Sequence, residues 1–172
     1  IMRLGFFEKA EINPRPGSSD DEMDILIIVK ERHTGTFQIG AGFSSYESFI
    51  ATAQISQNNL FGRGQALSFP GTLRSIRQQL NLSFTEPRFL DSNWLFSFAA
   101  FRFELDYLDF VRRSSGGDLT LGYRLTDHLS MSFTYENAYV DWTFHAAPNR
   151  NEAGRTSSVK GTLSWDTRDN RL

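Results

Sequence analysis

Cysteine is missing from this chain altogether. That removes disulfides, thiolate zinc sites and thiol nucleophiles from consideration. Equally absent is any apolar run near the roughly 20 residues that a membrane-spanning helix requires. Positive charge is not in excess: 18 Lys and Arg against 20 Asp and Glu give a formal charge of −2, so no basic stripe points to nucleic acid as a partner. The three histidines, His33, His128 and His145, lie in turn or loop sequence without the spacing of a metal-ligating pair. Gly40-x-Gly42 and Gly62-x-Gly64 precede no helix, so neither reads as a phosphate loop. Asp20, Asp21, Glu22 and Asp24 read as a solvated turn rather than a calcium site, and Asp166, Arg168 and Asp169 as structural ion pairs. No Ser/His/acid constellation stands out. The expectation is a protein without catalytic residues, metal or cofactor. Ile1-Met2-Arg3 opens in mid-pattern and does not read as a secretory leader, so the expectation is an excised segment of a longer chain.

What is present is aromatic: 16 Phe, 5 Tyr and 3 Trp, spread over short segments in which apolar and polar residues alternate. A period of two is the strand signature. The pattern begins in residues 34–45, where Phe37, Ile39, Ala41 and Phe43 fall on one side and Gln38, Gly40, Gly42 and Ser44 on the other. Its two glycines offer no side chain to pack, so this strand is expected to be more deformable than its neighbours. Seven further strands follow, over residues 48–58, 65–73, 76–86, 94–104, 117–125, 129–139 and 157–166. Ser48, Thr52, Gln54 and Ser56 oppose Phe49, Ala51, Ala53 and Ile55 in the first of these. Pro70 suggests a bulge or strand end. The strand at 94–104 has aromatics on both faces and does not declare its orientation.

Residues 1–33 read differently. Residues 1–7 resemble a helix end with Gly5 as its stop. An extended run follows to about Arg15, then a Pro/Gly/Ser/Asp turn, then a strand over residues 23–32 with Met23, Ile25, Ile27 and Val29 on one face. This is the tail of a small α+β unit. Thirty-three residues cannot bury a core alone, so the remainder of the unit is expected upstream.

Eight alternating strands fit either a soluble sandwich, whose apolar face turns into a core, or a membrane barrel, whose apolar face turns to lipid. Three features favour the barrel. Strand lengths approach the ~9–11 residues of a tilted crossing. The polar face is rich in Ser, Thr, Gln and Asn rather than Lys and Glu. Connections alternate between compact (59–64, 87–93, 126–128) and mostly longer (44–47, 72–75, 105–116, 138–156), the habit of outer-membrane barrels. Phe61, Phe89, Trp94, Tyr107, Phe110, Trp142 and Trp165 are candidates for the two interfacial aromatic girdles.

Several stretches resemble the outer-membrane protein assembly factor (BamA) family: Arg3-Leu-Gly-Phe-Phe-Glu8, residues 29–37 (VKERHTGTF), residues 40–45 (GAGFSS), residues 58–65 (NNLFGRGQ), residues 84–90 (FTEPRFL) and residues 165–170 (WDTRDN). They stand in the family's order and span nearly the whole chain. The loops at 105–116 and 138–156 match nothing specific, and the family's Arg-Gly-aromatic loop motif and closing strand are not found.

The resemblance implies that residues 1–33 are the C-terminal part of the last periplasmic POTRA domain. Residues 34–172 would be the N-terminal half, about eight strands, of an antiparallel transmembrane β-barrel of about sixteen. It implies the bacterial outer membrane as location, with the N-terminal part in the periplasm and the segment 138–156 facing outside. It implies nascent outer-membrane β-barrel proteins, outer-membrane lipids, assembly lipoproteins and periplasmic chaperones as partners. The candidate site is a lateral gate: the edge formed by Phe37, Gln38, Ile39, Gly40, Ala41, Gly42 and Phe43, where an incoming strand pairs by backbone hydrogen bonds. Glu8, Ala10 and Ile12 form a second candidate edge for strand augmentation. A secretion or translocation-and-assembly relative in the same superfamily, and a self-contained eight-stranded pore or adhesin, are the alternative readings.

Overall fold

A computed structural model describes residues 5–19, 22–45 and 47–167, with the backbone alone at residues 148–150. The expected helix over residues 1–4, the turn positions Asp20 and Asp21, and the ion-pairing positions Arg168 and Asp169 lie outside the described residues. Ten strands follow one another: β1 (Phe7–Pro16), β2 (Met23–Glu31), β3 (Gly35–Ser44), β4 (Ser48–Leu60), β5 (Gln65–Arg74), β6 (Arg77–Glu86), β7 (Trp94–Asp106), β8 (Phe110–Arg124), β9 (Leu129–Phe144) and β10 (Ala147–Trp165). They form a two-stranded sheet, β1-β2, and an eight-stranded sheet in the order β10-β9-β8-β7-β6-β5-β4-β3. The chain divides into two compact units, Ile1–Gly35 and Thr36–Leu172.

In the first unit Gly5 holds φ +69°, a left-handed conformation that glycine adopts without steric cost. Ile12 pairs with Ile27 and Ala10 with Val29, which gathers the apolar positions of both strands on one face. Ile12, Met23 and Ile25 each stay more than 60% exposed, because two strands have no second layer to cover them.

The second unit is a meander. Each strand lies beside its neighbours in sequence, and β4 through β10 pair antiparallel in an unbroken series. Serine and threonine cross-links tie neighbouring strands: Thr85 to Ser97 at 3.1 Å and Thr120 to Thr134 at 2.8 Å. The turn between β4 and β5 takes three left-handed positions among four residues. Phe61 and Gly62 have positive φ, as does Gly64, whose N–H donates to Asn59 Oδ1 at 2.7 Å.

Two expectations from sequence are overturned. Pro70 causes neither a bulge nor a strand end. It pairs with Gln54 inside β5, and the register toward β6 is unchanged from Ser68↔Ser83 to Gly71↔Leu80. Proline removes one donor, and a residue in an antiparallel strand turns its N–H to one neighbour only. The segments 105–116 and 138–156 are not long loops. β7 and β8 meet across residues 107–109, and β9 and β10 across residues 145–146. Their added length is ladder, regular between β7 and β8 and between β8 and β9 and shifted in register between Ala147 and Asn151 of β10, with Arg113 opposite both Glu104 and Asp141.

Those extensions were hidden by a change of phase. In β9 the apolar positions are Leu129, Met131, Phe133 and Tyr135, then Ala138, Val140, Trp142 and Phe144. In β7 they are Trp94, Phe96 and Phe98, then Phe101, Phe103 and Leu105. No register shift accompanies the change in the β7–β8 or β8–β9 ladders. The backbone runs straight on while the apolar side chains cross from one face of the sheet to the other.

Candidate membrane face and strand-pairing edge

The face carrying Phe133 (56% exposed), Leu121 (46%) and Leu163 (70%) is here the outer face. Because cross-strand partners share a face, the ladders show that it is continuous. Ile55 faces Phe69, Leu67 faces Phe84, Phe84 faces Phe98, Phe98 faces Leu119, Leu119 faces Tyr135, and Tyr135 faces Val159. Aromatic pairs reinforce the row, Phe84 with Phe98 at 5.6 Å between ring centroids; such pairs contribute about 0.5–1.5 kcal/mol beyond their buried area. The inner face at the same level is Ser83, Ser97, Thr120, Thr134 and Thr162. A soluble sandwich would place the apolar face in a core; here it is the exposed one.

At one end the apolar band is bordered by Trp94 tilted against Tyr123 at 4.8 Å, Phe89 against Phe96 at 5.4 Å, and the exposed Trp165. At the other end, nearer the 107–109 and 145–146 turns, it is bordered by Tyr135 and Tyr139, both about half exposed. Tyr135 Oη donates toward Ser157 Oγ at 3.4 Å, which also accepts from Asn137 Nδ2 at 2.6 Å. An apolar ring with its hydroxyl turned to polar partners is the chemistry of an interfacial aromatic. From Leu129 to Tyr139 is ten steps of about 3.3 Å, or roughly 23 Å for a strand tilted by about 45°. The outward band of an outer-membrane barrel is about 25 Å tall.

Trp142 and Phe110 do not join that second border, contrary to the expectation from sequence. Trp142 pairs with Arg112, and Phe110 with Phe144, on the inner face beyond the band. The three buried side chains among the described residues, Ser114, Ala138 and Val140, lie on that inner face at the same level. Outside them the outer face is charged: Arg113 bonds Glu104 at 3.0 Å and approaches Asp141 at 3.6 Å. Water replaces lipid as the outer solvent there, so the apolar side chains turn inward.

β3 ends the sheet, with β4 on one side and no strand on the other among the described residues. Its outward side chains Phe37, Ile39 and Phe43 are 64%, 75% and 82% exposed. On the other face Thr36 bonds Ser56 at 2.5 Å, and the Thr52 hydroxyl donates to the Gly40 carbonyl at 3.4 Å. A Cβ at Gly40 would lie 2.7 Å from that hydroxyl oxygen, whereas nothing crowds Gly42. Gly40 thus makes room for a neighbouring side chain. At the second candidate edge, Glu8 forms an ion pair with Lys30 at 2.8 Å, while Ala10 and Ile12 pair with β2. His145 joins the two hairpins at the far end, with Nε2 2.9 Å from Asp106 Oδ1 and 3.2 Å from the Tyr107 carbonyl. His128 serves a turn, its carbonyl accepting from Asp166 N at 2.8 Å. Neither sits in a group of metal-ligating side chains among the described residues, and no described helix is long and apolar enough to cross a membrane.

An antiparallel meander with a continuous apolar outer face, aromatic borders and a polar inner wall defines the wall of a transmembrane β-barrel of the outer-membrane type. The chain belongs to the Omp85 superfamily, whose domain matches residues 59–172. It is 26% identical over 135 residues to the outer membrane protein assembly factor BamA of Nitratidesulfovibrio vulgaris, covering 78% of this chain and 17% of that protein. With the BamA of Neorickettsia risticii it shares 28% identity over 168 residues, 95% of this chain and 22% of that one. The chain therefore spans about a fifth of the length of these curated relatives. The crystal structure of BamA from Haemophilus ducreyi lacking POTRA domains 1–3 superposes with a TM-score of 0.69. That match is 24% identical and covers 94% of this chain and 35% of that chain, a likeness of fold.

Proposed function

We propose that this chain is part of a non-enzymatic insertase that assembles β-barrel proteins into the bacterial outer membrane. In this reading residues 1–33 are the C-terminal part of a periplasmic POTRA domain, and residues 34–172 the N-terminal half of the barrel. The observation that carries it is the superfamily match over residues 59–172, with β3 leading into the eight-stranded sheet and its Phe37, Ile39 and Phe43 exposed on the lipid side. A strand edge in hydrocarbon leaves backbone N–H and C=O groups unsatisfied at several kcal/mol each. A nascent outer-membrane strand that pairs there satisfies those groups and its own, so insertion draws on the substrate's hydrogen bonding and burial. No nucleotide is required. Gln38, Gly40 and Gly42 face the barrel interior and leave the ladder as the main recognition element. Support comes from membership of the superfamily and from curated relatives named as assembly factors. The partners that follow are nascent barrel proteins and membrane lipids, with assembly lipoproteins and periplasmic chaperones acting on the N-terminal side.

The test is cysteine crosslinking in the full-length protein in cells. Cysteines placed singly at Gln38, Gly40 and Gly42 are combined with cysteines along the last strand of a stalled barrel substrate. The expected result is a ladder of crosslinks in one register, absent from a control cysteine at Asn81 in the middle of the sheet. Absence of crosslinks at every register overturns the proposal.

A further inference from the structure

The ladders of the sheet are not equally complete. Between β6 and β7 the partners run without interruption from Arg77↔Leu105 to Glu86↔Phe96, and the β7–β8 and β8–β9 ladders are likewise unbroken. Between β4 and β5 they are unbroken from Ile50↔Arg74 to Gln57↔Leu67. Between β5 and β6 they run from Ala66↔Thr85 to Ser68↔Ser83 and from Gly71↔Leu80 to Leu73↔Gln78, and pause at Phe69 and Pro70. Pro70 has no N–H to give. Phe69 lies between Leu67 and Leu73 in the outward apolar run of β5, so the pause falls at hydrocarbon depth. Side chains repeat the distinction. Thr36 with Ser56, Thr52 with the Gly40 carbonyl, and Glu47 with Arg74 at 2.7 Å brace β3, β4 and β5 together. Thr85 with Ser97, Phe84 against Phe98, Arg113 with Glu104, and Thr120 with Thr134 brace β6 through β9. From β5 to β6 the described residues make one side-chain bond, Gln65 to Glu86, beside the β4–β5 and β6–β7 turns.

We propose that the β5–β6 seam is a hinge line, about which β3, β4 and β5 swing as one braced flap against the rest of the wall. The inference concerns the mechanics of the wall and goes beyond what pairs at β3. A barrel wall in hydrocarbon is stiff because each ladder bond that opens leaves its N–H and C=O unsatisfied. At Pro70 that resistance is already reduced. One donor is absent by covalent structure, so bending there breaks fewer bonds than bending along an unbroken ladder. The inner face keeps the cost low. Ser68, Thr72, Gln79, Asn81 and Ser83 line it around the pause, so water inside the barrel reaches a carbonyl that finds no donor. On the outer face Leu67, Phe69, Leu80 and Leu82 meet through apolar contact alone, which is non-directional and survives a change of angle. A hinge absorbs motion at a few positions while the flanking elements move as bodies, and the bracing on either side of the seam supplies those bodies. A swing here displaces β3 without unpairing it from β4.

The experiment is double electron–electron resonance on the full-length protein in lipid nanodiscs. Nitroxide labels on Gln54→Cys/Ala99→Cys span the seam, and labels on Ser83→Cys/Glu136→Cys span as many strands without crossing it. The expected result is a distance distribution at least about twice as wide for the first pair as for the second. Pro70→Thr, which returns a donor to β5, is expected to narrow the first distribution to the width of the second. Circular dichroism and heat-modifiable migration verify folding. Hydrogen exchange on the wild type gives a reading that needs no variant: amides of residues 68–72 are expected to exchange at least about tenfold faster than those of residues 119–123. Equal widths for the two pairs, an unchanged first distribution in folded Pro70→Thr, or equal exchange in the two segments each overturns the proposal. A rigid seam together with substrate crosslinks at β3 overturns the hinge and leaves the pairing proposal standing.

Discussion

Gly116 and Gly117 stand side by side where the apolar side chains change face, and each is crowded from a different direction. A Cβ at Gly116 would lie 2.3 Å from the Asn137 carbonyl oxygen, and one at Gly117 would lie 2.7 Å from the Ala99 carbonyl oxygen. Both obstacles are backbone atoms of ladder partners, which cannot rotate aside. The pair lets β8 lie close to β7 and β9 at the level of Phe101 and Ala138. Gly116→Ala is therefore expected to destabilise the folded barrel by about 1–3 kcal/mol. Gly154→Ala, at a position with nothing within 4 Å, should be nearly neutral. Urea unfolding from bilayers followed by tryptophan fluorescence compares the two.

The strands themselves are longer than a membrane crossing needs. β9 has 16 residues and β10 has 19, against the ~9–11 of a tilted transmembrane strand. The surplus is a hairpin with continuous pairing from Asn137↔Ser157 to Thr143↔Asn151, clasped to its neighbour by His145 on Asp106. Amides of residues 139–143 are accordingly expected to show hydrogen-exchange protection comparable to residues 131–135. Rapid exchange, as in an unstructured loop, is the contrary outcome. The membrane-level parts of these strands were legible because lipid on one side and a polar interior on the other enforce a clean alternation. The distal parts were not, because the alternation lapses near Asn137 and resumes in the opposite phase at Ala138 and Val140. Read along the sequence, such a break looks like a strand end.

For the eight-stranded sheet as a whole, one face meets two solvents in succession, hydrocarbon and then water. A cation should therefore be tolerated at one depth and not at another on the same face. Leu121→Arg, in the middle of the apolar band between Phe96 and Phe133, is expected to cost about 2–4 kcal/mol of folding free energy in bilayers, and Ser115→Arg about 0–1. Equilibrium folding into lipid vesicles measures both. Equal costs would mean that the outer face is not a membrane face with a boundary between those rows.

From its residues alone this chain specified an all-β alternating sheet and its membrane-facing side chains, because alternation and aromatic placement are local consequences of the pleat and its surroundings; its family was legible through the resemblance of short motifs such as residues 58–65. Tertiary structure decided what depends on neighbours. Pro70 could stay in a strand because its missing donor faces one neighbour only. Trp142 turned inward because water, not lipid, lies outside it. Glu104, Arg113 and Asp141, from three different strands, came to share a row, because strand register, which no single strand encodes, sets which residues stand side by side.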